Sequence, residues 1–363
     1  MKNKKIIIFM PSIEGGGVEK NLIIITNYLA KKFENVKLIT YDKYFKKKFD
    51  KKVEFLTVKN KKIITKKYNK YLLCLIILIK ELIKQKSIVV SFQANIYAIL
   101  ICKLLNNPIV VRSNSSPSGW SNNFVKNLIF KFFLKKADKI IVNSIEFKKE
   151  IDKKFNVKSK LIYNPLDILN ILKKSKIKIK KNLFKNRCLK LINIARFTDQ
   201  KDHLTLLKAF KIINSKINSN LLLIGYGQNE RLIKKFITDN KLKNKIKIIK
   251  EINNPYKYLS KSDIFVLTST FEGLPNVLLE AIVLKKPIIS TNCPTGPKEI
   301  LGNGKYGTLF NIGDYKKLSK IILRYSENNL NFKKKLLPAF NSLDRFNYKK
   351  SCAEYEKQII SYI

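Results

Sequence analysis

Apolar runs of four to six residues alternate along this chain with longer segments whose apolar positions recur every three or four residues. That alternation is the sequence form of a parallel sheet wound with helices. In the first half it predicts strands at Lys5–Met10, Val36–Tyr41, Val53–Val58, Ile88–Phe92, Ile109–Arg112 and Lys139–Asn143. Helical spacing lies between them at Val18–Lys31, Leu72–Lys84 and Val125–Lys135. The rhythm stops near YNPLD (Tyr163–Asp167), and a Lys-rich polar stretch from Lys173 to about Lys185 reads as a linker. It then restarts, with strands at Leu189–Ala195, Leu221–Gly225, Lys245–Ile249, Ile264–Thr268 and Pro287–Thr291. Helices are expected at His203–Ile213, Glu230–Asn240 and Asn276–Leu284. The α/β pattern thus predicts two Rossmann-like domains facing each other across a cleft, with ligands beyond the carboxyl ends of the strands. The expected boundaries are 1–166 and 167–345, followed by a C-terminal helical stretch within 346–363.

Composition changes this picture in a few places. The 363 residues exceed the usual size of one core, and 45% apolar content suffices for two. A net charge of +48, mostly Lys and spread over both halves, draws the surface towards polyanions. Heavy use of Lys, Ile and Asn is also what an AT-rich genome produces. Five scattered cysteines without C-x-x-C and a single histidine, His203, argue against a zinc site or a disulfide framework and suit a reducing cytoplasm. The start, MKNKKIIIFMPSIEGGG, has an apolar run too short for a signal peptide and reads as a first strand. Leu72–Ile79 is too short to span a bilayer, so any membrane contact is expected to be peripheral. Between Tyr41 and Lys86 many lysines interleave with Phe45, Phe49, Tyr68, Tyr71 and Leu72–Ile79. That mixture predicts docking on anionic lipid; the alternative is a core helix with solvated lysines.

Four segments carry candidate chemistry. In FEGLPNVLLEAI, Glu272 and Glu280 flank a turn whose Pro275 suits the first position of a helix. Backbone amides of Gly273, Leu274 and Asn276 would then sit at a helix N-terminus, a seat for anionic oxygen. Both glutamates could equally cap and solubilise an ordinary helix. In NIARFTDQKDH, Arg196 and Lys201 follow a strand and precede a helix, as a bound diphosphate requires, or they are two solvated cations among many. His203 at the start of that helix reads as a capping or packing residue. Gly15–Gly17 after the first strand and Gly225 and Gly227 after a later one permit close backbone approach, although neither set completes a dinucleotide fingerprint.

The ordered set of Gly-rich turn, R-x4-K, G-x-G and E-x7-E resembles the retaining GT-B glycosyltransferases of family 4 over essentially the whole chain. FEGLPNVLLE and the PTGPKEIL loop resemble bacterial members that extend polyprenyl-diphosphate-linked oligosaccharides. INNPYKYLSKSD is similar to the segment beside the nucleotide base in α-N-acetylgalactosaminyltransferases. The resemblance implies that Arg196 and Lys201 bind the donor diphosphate and stabilise the leaving nucleotide. It implies that Glu280 holds the ribose and that Glu272, with the amides of Gly273, Leu274 and Asn276 and the ring of Pro275 around it, holds the transferred sugar. Gly225 would line the donor site, and Gly16 and Gly17 would let the N-terminal domain close over it. A UDP-hexose or UDP-N-acetylhexosamine donor is implied, with GDP-mannose as the alternative, and no metal or other cofactor. The acceptor would be a lipid-linked saccharide bound by the N-terminal domain, and the last helix would return to that domain. The expected location is the cytoplasm, peripheral at the inner face of the cytoplasmic membrane. Many relatives carry a histidine after the fourth N-domain strand; here the sequence is VVRSNSSPSGW, so Arg112 and Asn114 become the acceptor-side candidates. The reading from another class is a nucleic-acid-binding protein. Against it, the basic residues form no recognisable motif and the aromatics fall in apolar periodic runs. A sugar-nucleotide epimerase would want more histidines and acids for its proton transfers.

Overall fold

The computed structural model describes residues 5–14, 16–58, 64, 66–114, 123–179, 187–250 and 253–362. The chain divides into two compact units, Met1–Pro165 together with Phe346–Ile363, and Leu166–Arg345.

In the first unit the order is β1 (Lys5–Phe9), α1 (Gly17–Lys32), β2 (Val36–Ile39), β3 (Glu54–Leu56), α2 (Lys67–Lys84) and β4 (Ser87–Ser91). It continues with α3 (Asn95–Leu104), β5 (Ile109–Arg112), α4 (Phe124–Lys136), β6 (Lys139–Val142), α5 (Ile145–Phe155) and β7 (Lys160–Leu161). The sheet runs β3-β2-β1-β4-β5-β6-β7, with parallel pairing throughout. β1 is apolar at successive positions because both of its faces are covered. Ile6 and Ile8 meet α1 on one side, while Ile7 and Phe9 meet α2, α3 and α5 on the other.

The second unit holds α6 (Ile168–Ser175), β8 (Leu189–Ile194), α7 (His203–Lys216), β9 (Ser219–Ile224), α8 (Glu230–Asp239) and β10 (Ile246–Ile249). Then come α9 (Tyr256–Leu259), β11 (Ile264–Leu267), α10 (Asn276–Val283), β12 (Ile288–Thr291), α11 (Gly296–Ile300) and β13 (Thr308–Phe310). It closes with α12 (Tyr315–Glu327), α13 (Leu330–Lys333) and α14 (Leu336–Asn341). Its sheet, again parallel, runs β10-β9-β8-β11-β12-β13. The two Rossmann-like sheets expected from the sequence are both present.

α15 (Tyr348–Ile360) belongs to the first unit. Its Cys352, Tyr355 and Ile359 are fully buried in one core with Leu22 and Ile25 of α1. The Tyr28 hydroxyl donates to Glu356 at 2.7 Å, and Phe346 stacks edge-on to Tyr163 with ring centroids 4.9 Å apart.

Three expectations need correction. Lys173 and Lys174, read as the start of a linker, lie in α6. Asp167 caps that helix by accepting from the Asn170 amide at 3.1 Å, and Ile171 is its buried anchor. With a single buried position, Lys173 exposed and Lys174 half-buried, so short a helix mimics a loop; residues 180–186 of the same stretch lie outside the described residues. Phe45 and Phe49, read as insertions for a lipid surface, are 4% and 8% exposed and fill the core beside Val53 and Phe33. Pro275 stands at the cap position, one residue before the helix that begins at Asn276.

Candidate functional site

The strand order of the second sheet reverses at β8, which lies between β9 and β11. The turns leaving β8 and β11 diverge there, and such switch points are where open α/β sheets bind ligands. After β8 the ladder continues to Ala195, whose amide donates to Ile224 O at 3.0 Å. Arg196 is then exposed, and Phe197 turns inward, fully buried. Asp199–Lys201 forms one tight turn, and Asp202, at φ +39°, caps α7 by accepting from the Thr205 amide. Arg196 and Lys201 are therefore held on a short, well-anchored connection.

The turn after β11 is stitched to this one. The Thr270 amide donates to Gln200 O at 2.8 Å, the Thr268 hydroxyl to Lys201 O at 3.0 Å, and Gln200 Nε2 to Phe271 O at 2.8 Å. These bonds bring Lys201 Nζ to 2.5 Å from Glu272 Oε1, which also accepts from the Ser269 hydroxyl at 2.7 Å. The pair is largely buried, with 15% and 7% of the two side chains exposed. A third turn, after β12, completes the support. The Glu272 amide donates to Pro294 O at 2.6 Å and the Thr295 amide to Glu272 O at 3.1 Å. Gly296 is needed here because a Cβ on it would lie 2.0 Å from Gly273 O. Leu274 and Pro275 are buried beneath the turn, and Asn276 opens α10. One turn further along α10, Glu280 is buried and accepts from the Tyr256 hydroxyl at 3.2 Å.

Gly225 serves backbone packing: a Cβ there would lie 1.9 Å from Ala195 O, directly before Arg196. A Cβ on Gly227, at φ +152°, would lie 2.4 Å from Phe197 O. Gly16, Gly17, Arg112 and Asn114 belong to the first unit. Gly16 caps α1, and the Glu19 carboxylate reaches back to accept from the Glu14 amide at 3.2 Å, so a carboxylate of the chain itself already sits by this helix start. Gly15 lies outside the described residues. Arg112 is 1% exposed, donates to Asn164 Oδ1 at 2.5 Å, and has its guanidinium over the rings of Phe92 and Tyr355. That placement makes it an interior link between β5 and α15. Asn114 Nδ2 donates to Phe92 O at 2.9 Å. Asn114 also lines, with Asn95, Ser113, Tyr97 and Phe130, a cavity of about 350 Å³.

Sequence reasoning passed over Ser269 and Tyr256. Ser269 lies two positions before the FEGLPN segment, and Tyr256 lies in the NNPYKY stretch, but neither has a charge to draw notice.

His203 packs rather than binds. It is 3% exposed, lies edge-on to Phe197, and its Nε2 meets Asn193 Oδ1 at 3.1 Å. Asn193 Nδ2 donates to Val266 O, which leaves Oδ1 as the acceptor and puts the imidazole proton on Nε2. Burial, reinforced by the nearby Lys201 charge, pushes the His203 pKa down to about 4. A base depressed in the folded state binds fewer protons there than in the unfolded chain, so stability is full above about pH 6.5 and declines towards pH 4. The wild type should lose up to roughly 3 kcal/mol more than His203→Gln between those pH values in urea titrations. Parallel pH profiles for the two proteins would refute the assignment. Burial, with Glu272 beside it, likewise raises the Cys293 thiol to about 12, which leaves it protonated and inert.

Residues 174–339 match the family model described as glycosyl transferases group 1, and residues 15–168 match that of glycosyltransferase family 4. An uncharacterized glycosyltransferase of Methanocaldococcus jannaschii is 36% identical over 213 residues, 55% of this chain and about half (52%) of that protein's length. Over 85% of this chain and 86% of its own, a Campylobacter jejuni enzyme is 26% identical. That relative is N-acetylgalactosamine-N,N'-diacetylbacillosaminyl-diphospho-undecaprenol 4-alpha-N-acetylgalactosaminyltransferase. Anabaena HepE, solved with UDP and glucose, superposes with a TM-score of 0.81 over 99% of this chain and all of its own, at 18% identity. The fold is GT-B, a two-domain glycosyltransferase architecture. The chain belongs to the family 4 glycosyltransferases, with the group 1 domain as its second unit.

Proposed function

We propose that the protein is a retaining glycosyltransferase of bacterial surface-glycan assembly, moving a hexose or N-acetylhexosamine from UDP to a growing saccharide on polyprenyl diphosphate. The observation that carries this reading is the buried Lys201–Glu272–Ser269 cluster beside Arg196, at the reversal of strand order in the second sheet. Arg196 and Lys201 take the donor diphosphate and the charge that grows on it as the sugar C1–oxygen bond breaks. Glu272, already held by three turns, accepts from hydroxyls of the transferred sugar, with the amides at the start of α10 beside it. Glu280, oriented by Tyr256, takes the ribose hydroxyls. The acceptor oxygen bonds to C1 on the face the phosphate leaves, and its proton passes to that departing phosphate oxygen. The two cations do the work often given to a metal. The C. jejuni relative's diphospho-undecaprenol substrate supports a lipid-borne acceptor, taken by the first unit at the inner face of the cytoplasmic membrane, and the UDP bound by HepE supports the base.

Thermal shift separates the donors. A sugar nucleotide at 100 times its Kd stabilises by about 2.7 kcal/mol. UDP-sugars should raise the melting temperature and GDP-mannose should not; the reverse result would replace the donor. Turnover should survive EDTA, and a strict requirement for a divalent ion would overturn the metal-free route.

A further inference from the structure

α4 is a surface helix whose apolar side chains are mostly turned outward, interleaved with Lys126, Asn127, Lys131, Lys135 and Lys136. Of its thirteen residues only Leu134 is buried, while Phe124, Val125, Leu128, Ile129 and Phe132 are exposed. Apolar side chains exposed in such number on one helix belong against another apolar phase. The exposure extends to its neighbours, for α3 packs against both α4 and α2. On α3, Tyr97, Leu100 and Leu104 are exposed, the last at 75%. On α2, Leu72, Ile76, Ile79 and Ile83 follow one another at intervals of four, three and four, one stripe of the helix, and all are exposed. More than half of the exposed large apolar side chains among the described residues lie on these three helices. Surfaces of this extent mark interaction sites.

The charge on the same helices selects the partner. Lys80, Lys84, Lys126, Lys135 and Lys136 are exposed among the apolar groups. The only acid on the three helices, Glu81, is buried and bound by Lys5 and Lys37. A second copy docked here would press lysines on lysines in a chain of net charge +48. Nucleic acid would leave the aliphatic side chains without an apolar partner. Anionic lipid satisfies both, phosphate heads for the lysines and acyl chains for the apolar groups. We infer that α2, α3 and α4 form the face by which this protein docks on an anionic membrane. The inference deepens, and rests on, the reading of a lipid-borne acceptor. It also moves the anchor away from the lysines of residues 43–52, whose Phe45 and Phe49 are committed to the core.

Flotation of the full chain with vesicles tests it. The wild type should float with phosphatidylglycerol–phosphatidylcholine vesicles at low salt, less at high salt, and little with phosphatidylcholine alone. Exchanging Ile129→Ser together with Phe132→Ser, or Lys135→Glu together with Lys136→Glu, should reduce bound protein by about tenfold or more. Reversing Lys46, Lys47 and Lys48 to Glu should change it little. Both α4 double variants should melt as the wild type does, because these side chains are exposed, and should keep its donor-induced thermal shift. Unchanged flotation of the α4 variants overturns the inference, as does loss only on reversing Lys46–Lys48. A wild-type dimer in sedimentation that the α4 exchanges dissociate would assign the face to a second copy instead. A missing donor shift with intact flotation would sink the proposed reaction and leave the docking face standing.

Discussion

Arg196→Ala lowers turnover by about 10²–10³ while leaving the melting temperature near that of the wild type, since oxyanion stabilisers act mainly in the transition state. Lys201→Ala should lower turnover by a similar factor and also destabilise the fold. The difference lies in burial. Arg196 is exposed, whereas Lys201 neutralises a carboxylate that is 6% exposed. Removing one member of a buried pair strands the other, at a cost of about 3–5 kcal/mol. Adding Glu272→Gln to Lys201→Ala removes the stranded charge, so stability should return in part while turnover stays low. Calorimetry and initial rates on the three variants check this. Near-normal rates for Arg196→Ala on a competent donor–acceptor pair would remove both cations from the mechanism.

Ending the chain after Arg345 should unfold the first unit and spare the second. The deletion takes away Phe346, Cys352, Tyr355 and Ile359, all fully buried in the first unit. Each large apolar side chain among them contributes about 1.5–3 kcal/mol. Their sum is comparable with the whole stability of a domain, about 5–15 kcal/mol. Arg112 would also lose the Tyr355 ring from beside its guanidinium. Hydrogen exchange should then show β1 and β4 unprotected while β8 and β11 keep their protection, and unaltered melting of the truncated chain would contradict this.

Most of the strands were legible because parallel strands covered on both faces read as unbroken apolar runs, as at Lys5–Phe9 and Ile264–Leu267. The elements that escaped are short or weakly patterned. β7 has two residues, and α6 shows one buried position ahead of its two lysines. In the candidate site the charged and glycine positions could be named from residue chemistry and spacing alone. Their partners could not, because those come from other strands.

The sequence by itself determined the class of fold, the two successive α/β rhythms, and the charged and glycine positions of the candidate site. Local pattern carries that information: apolar period for the elements, charge and Gly/Pro placement for the turns. Only the tertiary structure decided that Lys201 meets Glu272, 71 positions on, since that contact exists because β8 lies beside β11. It also decided that Tyr256 orients Glu280, that Arg112 is enclosed between two aromatic rings, and that Phe45 points into the core while Phe132 stays outside. A side chain's residue type fixes what it can bind. Which neighbour it finds depends on strand order and helix rotation, which are settled by the packing of the whole unit.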